Sequence, residues 1–173
     1  MAVEAARLKI SAPTEPPVPG RAFYQIEEDR LFVQVGLFDA EHRFYSFLDS
    51  HSVRLDFDKE ARLVFVDVRQ ARRHWQTEAD LKPPKAAKLA DVRWLDFRET
   101  LPPVKITATP DRTTVRLKFS TRPVSQTVHV ADNLVIRIDE DDQLTDMWIT
   151  QIQDDLGGRF LAAFRKRCLL RAS

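Results

Sequence analysis

The stretch "RLDFDKEARLVFVDV", Arg54 to Val68, contains two short apolar alternating runs separated by a charged turn. Alternation with a period of two places the apolar side chains on one face of a β-strand, so the stretch predicts a β-hairpin with one buried face. The return run, Leu63 to Val68, is more continuously apolar, which predicts a strand covered on both faces. The stretch "VIRIDEDDQLTDMWI", Val135 to Ile149, repeats this pattern 81 residues later.

The runs that precede these two hairpins also occur in the same order. "AFYQIEEDRLFVQV" (22–35) predicts a hairpin with a turn around Glu27 to Asp29, and "VKITATPDRTTVRLKF" (104–119) predicts one with a turn at Thr109 to Asp111. A short run follows each of them, "FYSFL" (44–48) and "QTVHV" (126–130). The pairs that match at a spacing of 81 or 82 residues include Asp29 with Asp111, Arg30 with Arg112, Val33 with Val115, Asp58 with Asp139 and Leu63 with Leu144.

This order of runs predicts a mainly β (α+β) protein made of two pseudo-repeated antiparallel β meanders packed together. A single unit of roughly 47 residues has too small a core to be stable alone, and two copies can bury each other's open sheet face. Any two antiparallel meanders resemble each other at this level, so coincidental similarity is the alternative to a duplication.

Two helices are expected in addition to the sheets. "RQARRHWQTEADL" has Ala71 and Trp75 at helical spacing, and "PPKAAKLAD" places a proline pair before a helix-prone piece, so a short connector helix is predicted. The chain closes with "DDLGGRFLAAFRKRCLLR", which predicts a C-terminal amphipathic helix capped by Asp154 or Asp155. The apolar side of this helix contains Phe160, Leu161, Phe164 and Cys168.

The predicted organisation is one shared compact domain with four segments. Residues 1–20 contain four prolines and a glycine and are expected to form an extended N-terminal arm, so that the fold begins near Arg21. Residues 21–81 form β repeat one, residues 82–103 a linker, and residues 104–173 β repeat two with the C-terminal helix.

Composition restricts the classes of partner. The chain has 27 Lys and Arg against 26 Asp and Glu, and this net charge of +1 argues against a nucleic-acid partner. No apolar run reaches the roughly 20 residues needed to cross a bilayer, and the N-terminus has no apolar signal core, so no membrane partner is expected. Because Cys168 is the single cysteine, no internal disulfide can form, and a cytoplasmic location is expected.

The motifs for common chemistry are missing from the sequence. The four glycines do not have the spacing of a phosphate-binding loop, and the four histidines, at positions 42, 51, 74 and 129, form no metalloprotease motif. A calcium loop starting at "DEDD", Asp139 to Asp142, would require glycine and glutamate where Leu144 and Thr150 stand. The cluster is therefore interpreted as a solvated turn, and no catalytic, cofactor-binding or metal-binding residue is assigned.

Each copy resembles a small bacterial family of unknown function. The family pattern runs from Asp-x-Leu-Tyr-Ile through Asp-x-x-Gly to Gly-Ile-Glu-Ile; "DRLFV" at Asp29 is similar to the first element, and "DKEARLVFVDV" from Asp58 is similar to the rest. Asp67 stands at the family's Glu position. The signature glycines are replaced by Ala61 and Phe65 in copy one, and in copy two by Asp142 and Asp146, with Trp148 at the Glu position. The resemblance implies a compact β-rich module and no mechanism.

Three functions are compatible with these residues. The first is a non-catalytic intracellular module that binds another protein or a second copy of itself through its sheet edges or terminal helix. The second is a small-ligand binder or enzyme that uses the cleft between the repeats, lined by residues such as Asp67 and Arg69. The third, ranked last, is nucleic-acid binding through the basic C-terminal helix.

The three tryptophans are expected to have a packing role. Large aromatic side chains usually pack in the interior, so the expected place is the core or the contact between the repeats for Trp75, Trp94 and Trp148.

Overall fold

The structure is a computed structural model that describes residues 6–13, 18–36, 44–85 and 88–172, with the backbone alone described from 167 onward. The strands of the first half are β1 (Leu8–Ser11), β2 (Gly20–Gln25), β3 (Arg30–Val35), β4 (Ser46–Asp49), β5 (Val53–Phe57) and β6 (Leu63–Val68). Short strands follow, namely β7 (Gln76–Thr77), β8 (Lys88–Leu89), β9 (Asp91–Trp94) and β10 (Glu99–Thr100). The second half contains β11 (Lys105–Ala108), β12 (Val115–Lys118), β13 (Gln126–Ala131), β14 (Leu134–Ile138), β15 (Leu144–Ile149), β16 (Gln153–Asp155) and helix α1 (Arg159–Ala172).

The described strands form two seven-stranded sheets and one separate pair. The first sheet has the order β10-β4-β5-β6-β3-β2-β16, and the second has the order β7-β11-β12-β15-β14-β13-β8. The five central strands of each sheet pair antiparallel, while the short outermost strands pair in parallel. The mainly β, antiparallel-rich prediction is therefore confirmed.

The predicted meander order is wrong at one point in each half. β3 pairs with β6 rather than with β4, and β12 pairs with β15 rather than with β13. The alternation of apolar residues determines which face of a strand is buried, but it does not determine the neighbouring strand. The connections after β3 and β12 are longer than hairpin turns, which allows the next strand to join the sheet elsewhere.

The inner faces of the two sheets pack against each other around one apolar core. From the first sheet this core takes Leu31, Val33, Leu55, Phe57, Val66 and Val68, and from the second it takes Leu117, Leu134, Ile136, Ile138, Met147 and Ile149. These are the inward members of the alternating runs, so the expectation that the two halves cover each other's apolar faces is met. Trp75 and Trp94 belong to the same core.

The helix α1 covers part of the outer face of the first sheet. Its Leu161 and Phe164 pack with Phe23, Phe32 and Phe65, and the rings of Phe65 and Phe164 stack with centroids 4.7 Å apart. The predicted cap is confirmed for one of the two candidates. The carboxylate of Asp155 accepts hydrogen bonds from the backbone N–H groups of residues 160 and 161, at 2.8 and 3.0 Å. The side chain of Cys168 lies outside the described residues.

The outer face of the second sheet is crossed by the chain that connects β7 to β8. These two strands lie at opposite edges of the sheet, so the residues between them pass over its face. Leu81 in this connection packs on Val135 and Trp148, and all three side chains are buried. Trp148 therefore belongs to the outer layer of the second sheet rather than to the space between the sheets.

Two predicted segment boundaries need correction. The arm contains β1, which pairs with β9, and Leu8 is buried, so the fold begins before Arg21. The predicted linker, 82–103, contributes β8, β9 and β10, and Trp94 in it is almost fully buried.

The predicted connector helix is a single 3₁₀ turn, Arg72–His74, and β8 lies within the second helix-prone piece. Helical propensity is a weak signal that pairing with an available sheet edge overrides.

The β5–β6 and β14–β15 hairpins share the same internal structure. In each turn the buried carboxylate of the first residue, Asp58 or Asp139, accepts hydrogen bonds from the backbone N–H groups two and four residues later, at 2.8 to 3.0 Å. The fourth residue, Ala61 or Asp142, has a positive φ of 68° or 59°. A register shift lies at the end of β5 and of β14, immediately before each turn. Asp139 is thus a buried turn-forming residue, which corrects its interpretation as part of a solvated cluster.

Candidate functional site

A polar groove of about 210 Å³ lies on the outer face of the second sheet, next to β7. Its lining residues are Gln76, Thr77, Glu78, Lys105, Thr107, Arg116 and Lys118. The alternation along β11 and β12 explains this composition, because Ile106 and Leu117 point into the core while their neighbours along each strand point outward. Three cationic side chains and one carboxylate therefore line the same concave surface.

The two lysines of the groove lie directly opposite each other on adjacent antiparallel strands. Lys105 pairs in register with Lys118, and the next partner across the sheet from Lys118 is Asp146. Like charges in this position destabilise a sheet, since their Cβ atoms are only about 5 Å apart. A bound anion would relieve this repulsion, which makes this end of the groove the best candidate for anion binding.

Arg116 is held at the groove by a buried carboxylate. Asp146 is fully buried and accepts hydrogen bonds from Nε of Arg116 at 3.0 Å and from Nε of Arg137 at 2.8 Å. Both guanidinium groups lie over the ring of Trp148, at 5.4 and 5.6 Å from its centroid. The hydrogen bond to Asp146 raises the pKa of Arg137 above its usual value. One carboxylate between two guanidinium groups leaves a net positive charge beside the lysines.

The groove has a cationic end and an acidic end. Gln76 pairs in register with Thr107, and the N–H of Glu78 donates a 2.9 Å hydrogen bond to the carbonyl oxygen of Ala108. Glu78 is therefore level with Thr109, one residue beyond the end of β11, whereas Lys105 begins this strand. At 3.3 Å per residue, four residues separate the two ends by about 13 Å of backbone.

A second charged cluster lies on the outer face of the first sheet. Asp67 pairs with Arg30 and Arg69, and Asp56 accepts a 3.1 Å hydrogen bond from Nε of Arg54. Burial raises the pKa of Asp56 above its ordinary value, although Arg54 opposes this shift. Asp67 alternates with the core residues of β6, so the expectation that it lines the cleft between the halves is wrong. Each carboxylate has its own arginine partner, which is the arrangement of a structural ion-pair cluster.

The other polar candidates do not converge on one site. Among the described residues, no group of three His, Cys, Asp or Glu side chains has the geometry to hold a metal ion. His42 lies outside the described residues. In the turn from Asp139 to Asp142, Arg122 contacts the carboxylates of Asp139 and Asp141, at 3.4 and 2.5 Å, so these acids already have a cationic partner.

The sequence analysis did not predict the groove, although the pairing of its two lysines could have been derived from the hairpin that contains them. The turn between β11 and β12 is closed by mutual hydrogen bonding of Thr109 and Thr114, and counting back from it places Lys105 opposite Lys118. Nothing in the local pattern places Gln76 to Glu78 beside β11, because that contact joins residues about 30 positions apart across the predicted domain.

No family model matches the chain, and no curated protein matches its sequence. Within the described part of the chain, no helix combines the length and the apolar character needed to cross a membrane.

Proposed function

We propose that the protein is a non-catalytic module that binds an acidic segment of a partner protein in the groove on the outer face of the second sheet. The observation that carries this proposal is the directly opposed lysine pair, Lys105 and Lys118, placed beside Arg116 in a concave polar surface. Protein surfaces of opposite charge associate faster and with higher specificity, and carboxylates are the common anions of protein segments.

The groove has more support as the contact surface than the edges of the sheets. The outermost strands of both sheets contain only two or three residues each, namely β7, β8, β10 and β16. Short edge strands offer few backbone groups to an incoming strand, and they protect sheets against edge-to-edge association. Contact through side chains on an exposed face therefore has a better physical basis than strand addition.

A small ligand or substrate held between the two sheets has less support. The described residues fill that space with apolar side chains, and the charged residues expected there lie on the outer face of the first sheet. A ligand site needs a concave surface with convergent polar groups. The groove of the second sheet has both properties and is open to a partner.

The proposed function predicts a charge-specific loss of binding in a Lys105→Glu, Lys118→Glu double variant. A fluorescein-labelled peptide with four consecutive glutamates is expected to bind the unchanged protein, with an affinity that decreases as salt is added. The double variant should weaken binding at least about tenfold, which corresponds to about 1.4 kcal/mol. Fluorescence anisotropy titration measures this change.

The matched control is Lys9→Glu, Lys59→Glu, which changes the net charge equally at exposed positions on other parts of the molecule. It should bind within about twofold of the unchanged protein, because charges beyond a Debye length of about 10 Å are screened. An equal loss in both double variants would mean that only net charge matters, and the groove would then be discarded as the contact surface.

We also propose that the two halves arose by internal duplication. The support is the shared order of the five central strands and the shared turn structure at Asp58 and Asp139. Leu31 and Val115 are equivalent by register, since they lie opposite Val68 and Ile149. The sequence match of Val33 with Val115 is therefore shifted by two residues in space.

Equivalent turns predict equivalent costs for Asp58→Ala and Asp139→Ala. Each substitution leaves two backbone N–H groups without their acceptor, so each should lower the free energy of unfolding by about 2 kcal/mol. Urea denaturation followed by tryptophan fluorescence provides the measurement. Values that differ by more than about 1.5 kcal/mol would count against equivalent roles for the two turns. Asp132→Ala, in a turn outside these hairpins, serves as a reference.

A further inference from the structure

The position of Glu78 adds a second requirement to the ligand of the groove. Glu78 lies level with Thr109, just beyond β11 and about 13 Å along the strand direction from the lysine pair, with Thr107 and Gln76 between them. An acidic segment that filled the whole groove would place one of its own carboxylates beside Glu78. Two neighbouring carboxylates repel each other, so a uniformly acidic ligand makes favourable charge contacts only at the cationic end of the groove.

We propose that the groove selects an extended peptide segment that carries an acidic residue and a basic residue four positions apart. This inference rests on the proposed function and specifies its ligand. The acidic side chain contacts Lys105 and Lys118, and the basic side chain contacts Glu78. Residues i and i+4 of an extended chain project to the same side and are also about 13 Å apart, which matches the separation of the two charged ends along the strand direction.

The middle of the groove suits an extended backbone. Thr107 contributes a hydroxyl group and Gln76 contributes an amide, and each of these groups can both donate and accept hydrogen bonds. A peptide backbone offers donors and acceptors in alternation, so it can pair with these side chains whichever way the chain runs. A compact anion such as free phosphate would use the lysine end and leave this middle region and Glu78 without a partner.

Four labelled peptides of equal length test the inference by anisotropy titration. Two have one Glu and one Lys four positions apart, in the two possible orders; the third has the same residues adjacent, and the fourth has Glu at both positions. At least one spaced Glu/Lys peptide should bind the unchanged protein about fivefold more tightly than either the adjacent or the Glu/Glu peptide. Glu78→Lys should reverse this preference, so that the Glu/Glu peptide binds more tightly.

The control variant is Asp80→Lys, which makes the same charge change at an exposed neighbour outside the groove and should leave the preference unchanged. If the Glu/Glu peptide binds the unchanged protein as tightly as both spaced peptides, while Lys105→Glu, Lys118→Glu still abolishes binding, the inference fails and the proposed function stands. If the Lys105→Glu, Lys118→Glu variant binds all four peptides as well as the unchanged protein does, the inference and the proposed function are both overturned. Persistence of the spacing preference in Glu78→Lys would also overturn the inference.

Discussion

Substitution of Trp94 by alanine is expected to lower the free energy of unfolding by about 4 kcal/mol, the range found when a large aromatic residue is removed from a packed core. Trp94 is 1% exposed, and its ring centroid lies 4.9 Å from that of Phe57. The ring centroid of Phe57 also lies 5.7 Å from that of Phe97, so Trp94 and Phe97 together join β9 and the segment after it to the end of β5. Its removal leaves a cavity that these rigid strands cannot close.

Chemical denaturation monitored by far-ultraviolet circular dichroism gives the free energy change for this variant. Leu95→Ala is the matched control, because Leu95 follows in the chain but is 48% exposed, and it should change stability by less than about 1 kcal/mol. If Trp94→Ala were as mild as Leu95→Ala, residues 91–94 would be a linker after all, and the burial of this segment would be wrong.

Substitution of Asp146 by alanine is expected to lower the free energy of unfolding by about 3 kcal/mol. Removal of one partner from a buried ion pair commonly costs 3–5 kcal/mol, and the lower value applies because the side chains of Arg116 and Arg137 keep 25% and 21% of their exposure. The variant leaves two guanidinium groups facing each other over Trp148 without a shared anion. Their repulsion should loosen the outer layer that contains Trp148.

Thermal and urea denaturation, together with the fluorescence maximum of the tryptophans, measure this effect. Asp141→Ala is the control, since Asp141 also pairs with an arginine but its side chain is 56% exposed, and exposed pairs contribute about 0–1 kcal/mol. A loss below about 1 kcal/mol for Asp146→Ala would show that the two arginines do not depend on this carboxylate, and the organisation of the groove would need another explanation.

Much of the local structure could be predicted from the residues. The alternation of Val53, Leu55 and Phe57 predicts a strand with one buried face, which is observed. The charged turn that begins at Asp58 predicts the hairpin, and the apolar stripe with Phe164 predicts α1. These features are determined by side chains a few positions apart, whose spacing is known once the chain is extended or helical.

The predictions that failed concerned contacts between distant segments. The pairing of β1 with β9 and of β3 with β6 joins strands that the period-two pattern treats as interchangeable. The segment with Trp94 looked like a linker because it has no long periodic run, yet it contributes a large side chain to the core. The lysine pair was visible within its hairpin, but the acidic end at Glu78 was not.

The sequence by itself therefore determined the strand-forming segments, their buried faces, the two hairpins with charged turns and the C-terminal amphipathic helix, because these depend on local geometry and on the removal of apolar side chains from water. Only the tertiary structure decided the order of strands in each sheet, the burial of residues 91–94 and the assembly of the groove. Those features depend on which edges and faces meet when the two sheets pack, and the pairing of one extended segment with another is not encoded within a few neighbouring residues.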